Sequence, residues 1–149
     1  HGVWLSTTRQ KQLDCFVRNV LAEQRSLLKK MKVSRLSKVA LQKILQGRVK
    51  EAATCLIKFY SNGCHYCHEL HKPYVNLADE YKDIHFFAFN VEDYPQIEKV
   101  VEFSGVPALC LIKTGTNLPT QRVMPEPKTP NKKTWYHIKD IKEFIEREK

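Results

Sequence analysis

The sequence contains no run of 18 or more apolar residues, the length that a membrane-spanning helix requires. We therefore expect no membrane span in this chain. It also lacks an initiator methionine and a signal-peptide pattern, and it begins with His1-Gly2, as a tag remnant or an internal start would. Either start would mean that targeting information can have been cut away, so the location stays unknown: the cytoplasm and a secretory or organelle lumen both remain open.

Acidic residues are scarce in the first third of the chain. Residues 1–53 hold twelve Lys or Arg and three Asp or Glu, whereas residues 54–149 hold thirteen of each. The formal charge of +9 therefore belongs to the N-terminal part. Such asymmetry favours a basic segment that binds an acidic protein partner beside a neutral domain. We rank simple packing of this segment above a nucleic-acid or membrane role.

The chain contains few cysteines, and their number is odd, which does not suit a dense disulfide framework. There are five, so at least one is unpaired in a monomer. This count fits a reducing compartment or a catalytic pair better than a structural framework, although it leaves a secretory compartment open. Cys15, Cys55 and Cys110 stand in apolar patterns and are interpreted as core residues.

The apolar pattern predicts a basic amphipathic helical extension over residues 1–36, followed by an α/β domain over residues 37–149. In the extension, an apolar stripe at helical spacing predicts a helix that buries this stripe against the domain or a second copy. The stripe consists of Leu13, Phe16, Val20, Leu27 and Met31. In the domain we predict helices over 37–47, 64–81, 95–103 and 137–148, and strands over 54–60, 84–91, 108–113 and 120–124. This order implies a central mixed sheet flanked by helices, with a parallel βαβ pair and a later antiparallel hairpin. Residues 125–134 read as a solvated Pro- and Lys-rich loop or a docking loop.

A dithiol motif, Cys64-His65-Tyr66-Cys67, follows the first of these strands and opens a helix. Backbone N–H groups and the helix dipole at a helix N-terminus lower the pKa of a cysteine there. We therefore expect Cys64 to be the attacking thiolate. Cys67, which is expected to be more buried, would resolve the mixed disulfide.

Three segments together resemble the thioredoxin superfamily, over roughly residues 40–149. They are Lys58-Phe59-Tyr60 before the dithiol motif, Asn90-Val91-Glu92-Asp93 before a short helix, and Gly105-Val106-Pro107 before a strand. The resemblance implies a thioredoxin-like fold and a redox-active Cys64–Cys67 disulfide. It also implies a cis bond between Val106 and Pro107, with Pro107 beside the dithiol to help present the substrate backbone. No organic cofactor is implied.

The sequence departs from the usual pattern of that superfamily in four places. Lys58 stands where a buried carboxylate is usual, and Gly63 where an aromatic residue is usual. Pro73 is displaced by one residue, and the dipeptide inside the motif is His-Tyr. The Cys-x-Tyr-Cys-His pattern resembles bacterial disulfide isomerases, and the Phe-Tyr lead-in resembles eukaryotic protein disulfide isomerases.

Several supporting residues have two readings. His65 either stabilises the Cys64 thiolate or is a solvent-exposed loop histidine. Tyr66 is counted as a supporting residue because it lies inside the dithiol motif, and we predict no separate chemical role for it. Lys58 is either a buried base near the dithiol, with a lowered pKa, or a residue whose ammonium group reaches water.

Two alternatives use the same motif differently. Cys64, Cys67, His68 and His71 would share one helix face and could hold Zn²⁺ or Cu⁺. Cys64 to His68 also matches the attachment pattern of haem c, but that reading needs a haem cavity. We rank both below a metal-free dithiol.

The sequence thus predicts a protein-disulfide oxidoreductase or isomerase that reduces, forms or isomerises disulfides in protein substrates through Cys64 and Cys67. The main alternative is a non-enzymatic adaptor with the same fold that binds partners through its groove and basic helices. A Cys/His metal-binding protein is the third reading.

Overall fold

The computed structural model describes residues 10–12, 14–20 and 32–149, which fall in two compact units, His1–Lys32 and Val33–Lys149. In the first unit, residues 10–12 and 14–20 are helical. Phe16 is 66% exposed and Cys15 is exposed in the single chain, and burial of the stripe against the domain or a second copy stays a prediction. Leu13, Leu27 and Met31 of the predicted stripe lie outside the described residues. No helix within the described ranges is long and apolar enough to cross a membrane.

The second unit is built around a five-stranded mixed sheet in the order β1-β3-β2-β4-β5. The strands are β1 (Val33–Arg35), β2 (Ala53–Tyr60), β3 (His85–Asn90), β4 (Ala108–Thr114) and β5 (Thr120–Val123). The β1–β3 and β2–β3 pairs are parallel, and the β2–β4 and β4–β5 pairs are antiparallel. The predicted α/β class, with a parallel pair and a hairpin, is confirmed.

The edge strand β1 is a correction to the sequence analysis, which placed its residues in the helical extension. Val33 pairs with Phe86 and Arg35 with Ala88. Leu36, which follows, is buried, and its N–H donates to the carbonyl oxygen of Ala88 at 2.9 Å. A strand of three residues is too short to display an alternating pattern, so no local signal predicted it.

Four α-helices flank the sheet: α1 (Lys38–Leu45), α2 (His65–Glu80), α3 (Ile97–Val101) and α4 (Ile138–Glu148). Ser37 caps α1, because its side chain accepts a hydrogen bond from the Ala40 N–H at 3.1 Å. Gly47 follows α1 with φ +72°, the left-handed conformation that glycine adopts at low cost. Helix α2 continues through Pro73 without interruption.

Alternation along the strands creates two cores, one on each face of the sheet. One face packs Leu56 and Leu109 against Tyr74 of α2 and Phe144 of α4. The other face packs strand residues against α1 and α3, and its members include Ile57, Phe59, Phe89, Leu41 and Ile97. Lys58 alternates with Ile57 and Phe59, so it lies on the α2 face. This register brings a charged side chain beneath the helix that carries the dithiol.

The segment after β5 is an exposed or half-buried loop over residues 125–133, in agreement with the solvated-loop reading, but it is anchored in the core at both ends. Met124, Thr134 and Tyr136 are buried. The Thr134 hydroxyl donates to the carbonyl oxygen of Tyr136 at 2.7 Å, and the Tyr136 hydroxyl donates to that of Pro107 at 3.4 Å. The segment therefore folds back toward the Pro107 end of β4.

Candidate functional site

The cysteine pair lies at the junction between β2 and α2. Cys64 is the N-cap residue of α2 and forms a disulfide with Cys67, with the two Cα atoms 5.2 Å apart. The Cys67 N–H donates to Cys64 Sγ at 3.1 Å. Cys64 is half-buried, whereas Cys67 is only 3% exposed. An incoming thiol or disulfide can therefore reach Cys64 first, and the helix N-terminus stabilises negative charge on its sulfur.

The Gly105-Val106-Pro107 segment lies against the same sulfur. The Val106–Pro107 peptide bond is cis, and Cys64 Sγ is 3.8 Å from the carbonyl oxygen of Val106. Gly105 adopts φ +77°, and its N–H donates to Glu98 Oε1 at 2.6 Å. The structure therefore brings together Cys64, Cys67, Val106 and Pro107, which the sequence proposed as one site.

Lys58 is buried beneath α2, the helix whose N-terminus carries the cysteine pair. It is 2% exposed, and burial lowers its pKa from 10.5 to about 8. Its Nζ lies 3.3 Å from His71 Nδ1 and 5.1 Å from the centre of the Tyr74 ring. The Lys58 side chain is therefore buried and its ammonium group is not solvated as the alternative reading required; its role as a base stays a prediction.

A cavity of about 250 Å³ opens beside the Pro107 segment. Tyr66, Glu126 and Trp135 line it together with residues 104–107. The Tyr66 and Trp135 rings are 5.4 Å apart, and Trp135 Nε1–H donates to Glu126 Oε2 at 2.8 Å. The sequence analysis did not identify Glu126 or Trp135 as site residues. A tryptophan in an otherwise Pro- and Lys-rich loop was the available signal, because an aromatic ring seldom stays unpacked.

A polar network holds the turn before Cys64. The Asn62 amide donates to Glu92 Oε2 at 2.7 Å, and Asn90 donates to Asn62 Oδ1 at 3.0 Å. His68 Nε2 lies 2.9 Å from the carbonyl oxygen of Asn62. The resemblance had singled out the Asn90–Asp93 segment, and two of its residues, Asn90 and Glu92, form hydrogen bonds with Asn62 of this turn. His65, by contrast, is exposed, with its ring 6.3 Å from that of Tyr66.

The alternative metal tetrad is not assembled in this structure. Cys64 and Cys67 are bonded to each other, His68 contacts the Asn62 carbonyl group, and His71 contacts Lys58. Within the described part of the chain, no three His, Cys, Asp or Glu side chains are grouped so that they could hold a metal ion. Helix geometry alone had suggested the tetrad, but neighbouring groups engage both histidines.

The other described cysteines differ in burial. Cys55 and Cys110 are buried and unpaired, and burial raises the pKa of their thiols to about 11 and about 12. Their core positions are those that the sequence predicted. Cys15 is unpaired and exposed. Any thiol assay on this chain therefore has to account for Cys15.

Comparisons with known proteins agree with this geometry. A model of the family described as Thioredoxin matches residues 22–131. The chain is similar to a thioredoxin of Trichomonas vaginalis (19% identity, TM-score 0.57, covering 80% of this chain and 99% of that one). It is also similar to mitochondrial thioredoxin 3 of Saccharomyces cerevisiae (18%, TM-score 0.55, 80% and 98%).

A third similar structure is the J-Trx1 fragment of ERdj5 (17% identity, TM-score 0.54), of which the match covers 49%, against 78% of this chain. The chain thus spans about half the length of that fragment. Identities this low support the fold alone. The search of curated proteins returned no match.

Proposed function

Because the chain belongs to the thioredoxin family, we propose that it is a thiol–disulfide oxidoreductase acting on protein substrates through Cys64 and Cys67. The observation that carries this proposal is the bonded pair at the N-terminus of α2, with one sulfur accessible and the other buried. Adjacent sulfurs of unequal accessibility suit a two-step exchange.

In the reductive direction, the Cys64 thiolate attacks one sulfur of a substrate disulfide. That S–S bond breaks, and the departing substrate sulfur leaves as a thiolate that takes a proton. Cys67 then attacks Cys64 Sγ in the mixed disulfide, forms the Cys64–Cys67 bond and releases the second substrate sulfur. Two electrons pass from the protein dithiol to the substrate, and the reverse sequence oxidises a substrate dithiol.

We propose that the substrate chain lies along the Pro107 segment, in the cavity that Tyr66 and Trp135 line. The Val106 carbonyl group faces the attacking sulfur, so a substrate backbone held there would present its own sulfur to Cys64. The aromatic pair supplies apolar contact area for the residues that flank the substrate cysteine. The cavity wall also carries Glu126, which favours a basic or neutral flank.

The test is turnover of a disulfide-bonded model protein by the full chain, with an exchangeable small thiol as reductant. The matched pair of variants is Cys64→Ser and Cys15→Ser. We expect Cys64→Ser to abolish turnover and Cys15→Ser to leave it unchanged. Equal turnover by the parent and Cys64→Ser would favour the adaptor reading instead. Disulfide isomerisation is scored separately, by recovery of activity from a scrambled substrate.

We also propose that the basic extension, which after the assignment of β1 to the sheet comprises His1–Lys32, binds an acidic protein partner. Lys11 and Arg18 are exposed in its described helical segment, where charge reversal is not expected to disturb a core. The double change Lys11→Glu and Arg18→Glu should weaken binding of polyglutamate, used as the acidic probe, and should reduce its salt dependence. Unchanged binding at low salt would contradict this proposal.

A further inference from the structure

Lys58 is a buried cation without a carboxylate partner. Among the described residues, no Asp or Glu forms an ion pair with it, and its one polar side-chain contact is His71 Nδ1 at 3.3 Å. The rings of Tyr74 and Tyr60 flank the ammonium group, with centroids at 5.1 and 5.9 Å. A buried charge with so few partners destabilises the fold, so packing does not account for this residue.

A second cavity, of about 230 Å³, lies between Lys58 and the buried cysteine of the dithiol. Lys58, Cys67 and His71 all line it. The other titratable groups on its wall are Arg35 from β1, Tyr60 from β2 and His68 from α2, and no carboxylate lines it. Arg35 is already paired with Asp93 at 2.9 Å. The cavity therefore joins a buried thiol, a buried amine and an imidazole that reaches solvent.

We propose that Lys58 accepts the proton of Cys67 when Cys67 resolves the mixed disulfide, and that His71 passes this proton to solvent. The inference rests on the proposed function. In the step, the Cys67 S–H bond breaks and its proton moves to the neutral Lys58 amine. The Cys67 sulfur then bonds to Cys64 Sγ as the Cys64–substrate S–S bond breaks, and the electron pair leaves with the substrate sulfur. His71 takes the proton from Lys58 at Nδ1 and releases one to water from Nε2.

The electrostatics of the cavity suit this transfer. Because the pKa of Lys58 is lowered to about 8, part of the amine is neutral near pH 7 and can accept a proton. Burial and the neighbouring charges of Lys58 and His68 lower the pKa of His71, so its imidazole is neutral at that pH and can accept in turn. Once protonated, Lys58 presents a positive charge to the Cys67 thiolate and stabilises it.

The two exchange steps can be timed separately with 5,5′-dithiobis(2-nitrobenzoate), a chromogenic aromatic disulfide. Attack by Cys64 releases one coloured thiolate at a rate proportional to reagent concentration. Resolution by Cys67 releases the second at a rate independent of it. The reduced full chain carrying Cys15→Ser is the parent protein, because Cys15 is exposed while Cys55 and Cys110 are buried.

In this background we expect Lys58→Met to slow the second phase about 10-fold or more at pH 7 and to move its pH profile to higher pH, because a general base has been lost. The first phase should change by less than about two-fold, because the charge at the N-terminus of α2 is retained. His71→Gln keeps an acceptor for Lys58 but cannot relay a proton, so it should also slow the second phase. The matched control is Lys72→Met, which removes an exposed lysine from the same helix and should alter neither phase.

A second phase in Lys58→Met with the rate and pH profile of Lys72→Met would overturn the role of Lys58 while leaving the oxidoreductase intact. Equal slowing of both phases would also overturn it, because that outcome indicates a disturbed site. If the parent protein itself released no coloured thiolate in either phase, the proposed function would fail.

Discussion

The burial of Lys58 predicts an unusual dependence of stability on pH. Its pKa is about 8 in the folded protein and 10.5 when unperturbed. Between these values the unfolded chain holds one more proton than the folded chain, so the free energy of unfolding rises with pH across this window. At about 1.4 kcal/mol per pH unit, the whole shift amounts to ~3 kcal/mol. The loss of folding stability caused by burying the protonated Lys58 amine is fully present below pH 8 and has disappeared above pH 10.5.

Lys58→Met removes the charge and keeps a side chain of similar length. We therefore expect it to raise the free energy of unfolding by up to ~3 kcal/mol at pH 7, with an advantage over the parent that shrinks as pH rises from 8 to 10.5. Urea denaturation of the oxidised protein at several pH values measures this difference, and urea adds no ionic strength. Lys72→Met is the matched exposed control. Either a lower stability of Lys58→Met at pH 7 or a difference from the parent that does not vary with pH would refute the reasoning.

Three further predictions concern other parts of the fold. Alkylation of the reduced protein at neutral pH, followed by peptide mapping, should label Cys64 well before Cys67; the reverse order would exchange their roles. Tyr74→Phe should lower the free energy of unfolding by about 1–3 kcal/mol in chemical denaturation, because the Tyr74 hydroxyl lies 2.9 and 2.7 Å from the carbonyl oxygens of Leu56 and Phe87. Gly47→Ala should lower it by about 1–2 kcal/mol, because φ is +72° there and a Cβ would lie 3.2 Å from Pro119 Cδ; an unchanged denaturation midpoint would argue against that strain.

The elements that the sequence predicted correctly are those with long or repeated local signals. Strands β2 and β4 were predicted from their runs of apolar residues. Helix α4 was predicted from the helical spacing of its apolar residues, because one face of the helix has to be buried. Helix ends were predicted to within a few residues: α1 spans Lys38–Leu45 against a predicted 37–47, and α3 begins at Ile97 and not at residue 95. The dithiol was identified by its position between a strand and a helix.

The parts that the sequence did not reveal depend on contacts between residues far apart in the chain. Trp135 lines the site only because the segment after β5 folds back to Tyr66, and no local pattern encodes that return. Likewise, His71 engages Lys58 because the register of β2 sets that lysine under α2. Sequence spacing had instead grouped His71 with the cysteines as a metal ligand, since spacing records shared helix faces but not the strand beneath them.

The edge strand β1 bears on how the chain can be shortened. Strand β1 pairs in parallel with the outer edge of β3, and Arg35 of β1 forms an ion pair with Asp93. A truncation that removed residues 1–36 would remove β1 and leave the backbone N–H and C=O groups on this edge of β3, along Phe86 and Phe87, without hydrogen-bond partners. Edge strands with unpaired backbone groups tend to pair with strands of other chains, so such a fragment is expected to self-associate. A shortened form that begins before Val33 retains the β1–β3 pairing and should self-associate less than that fragment at the same concentration.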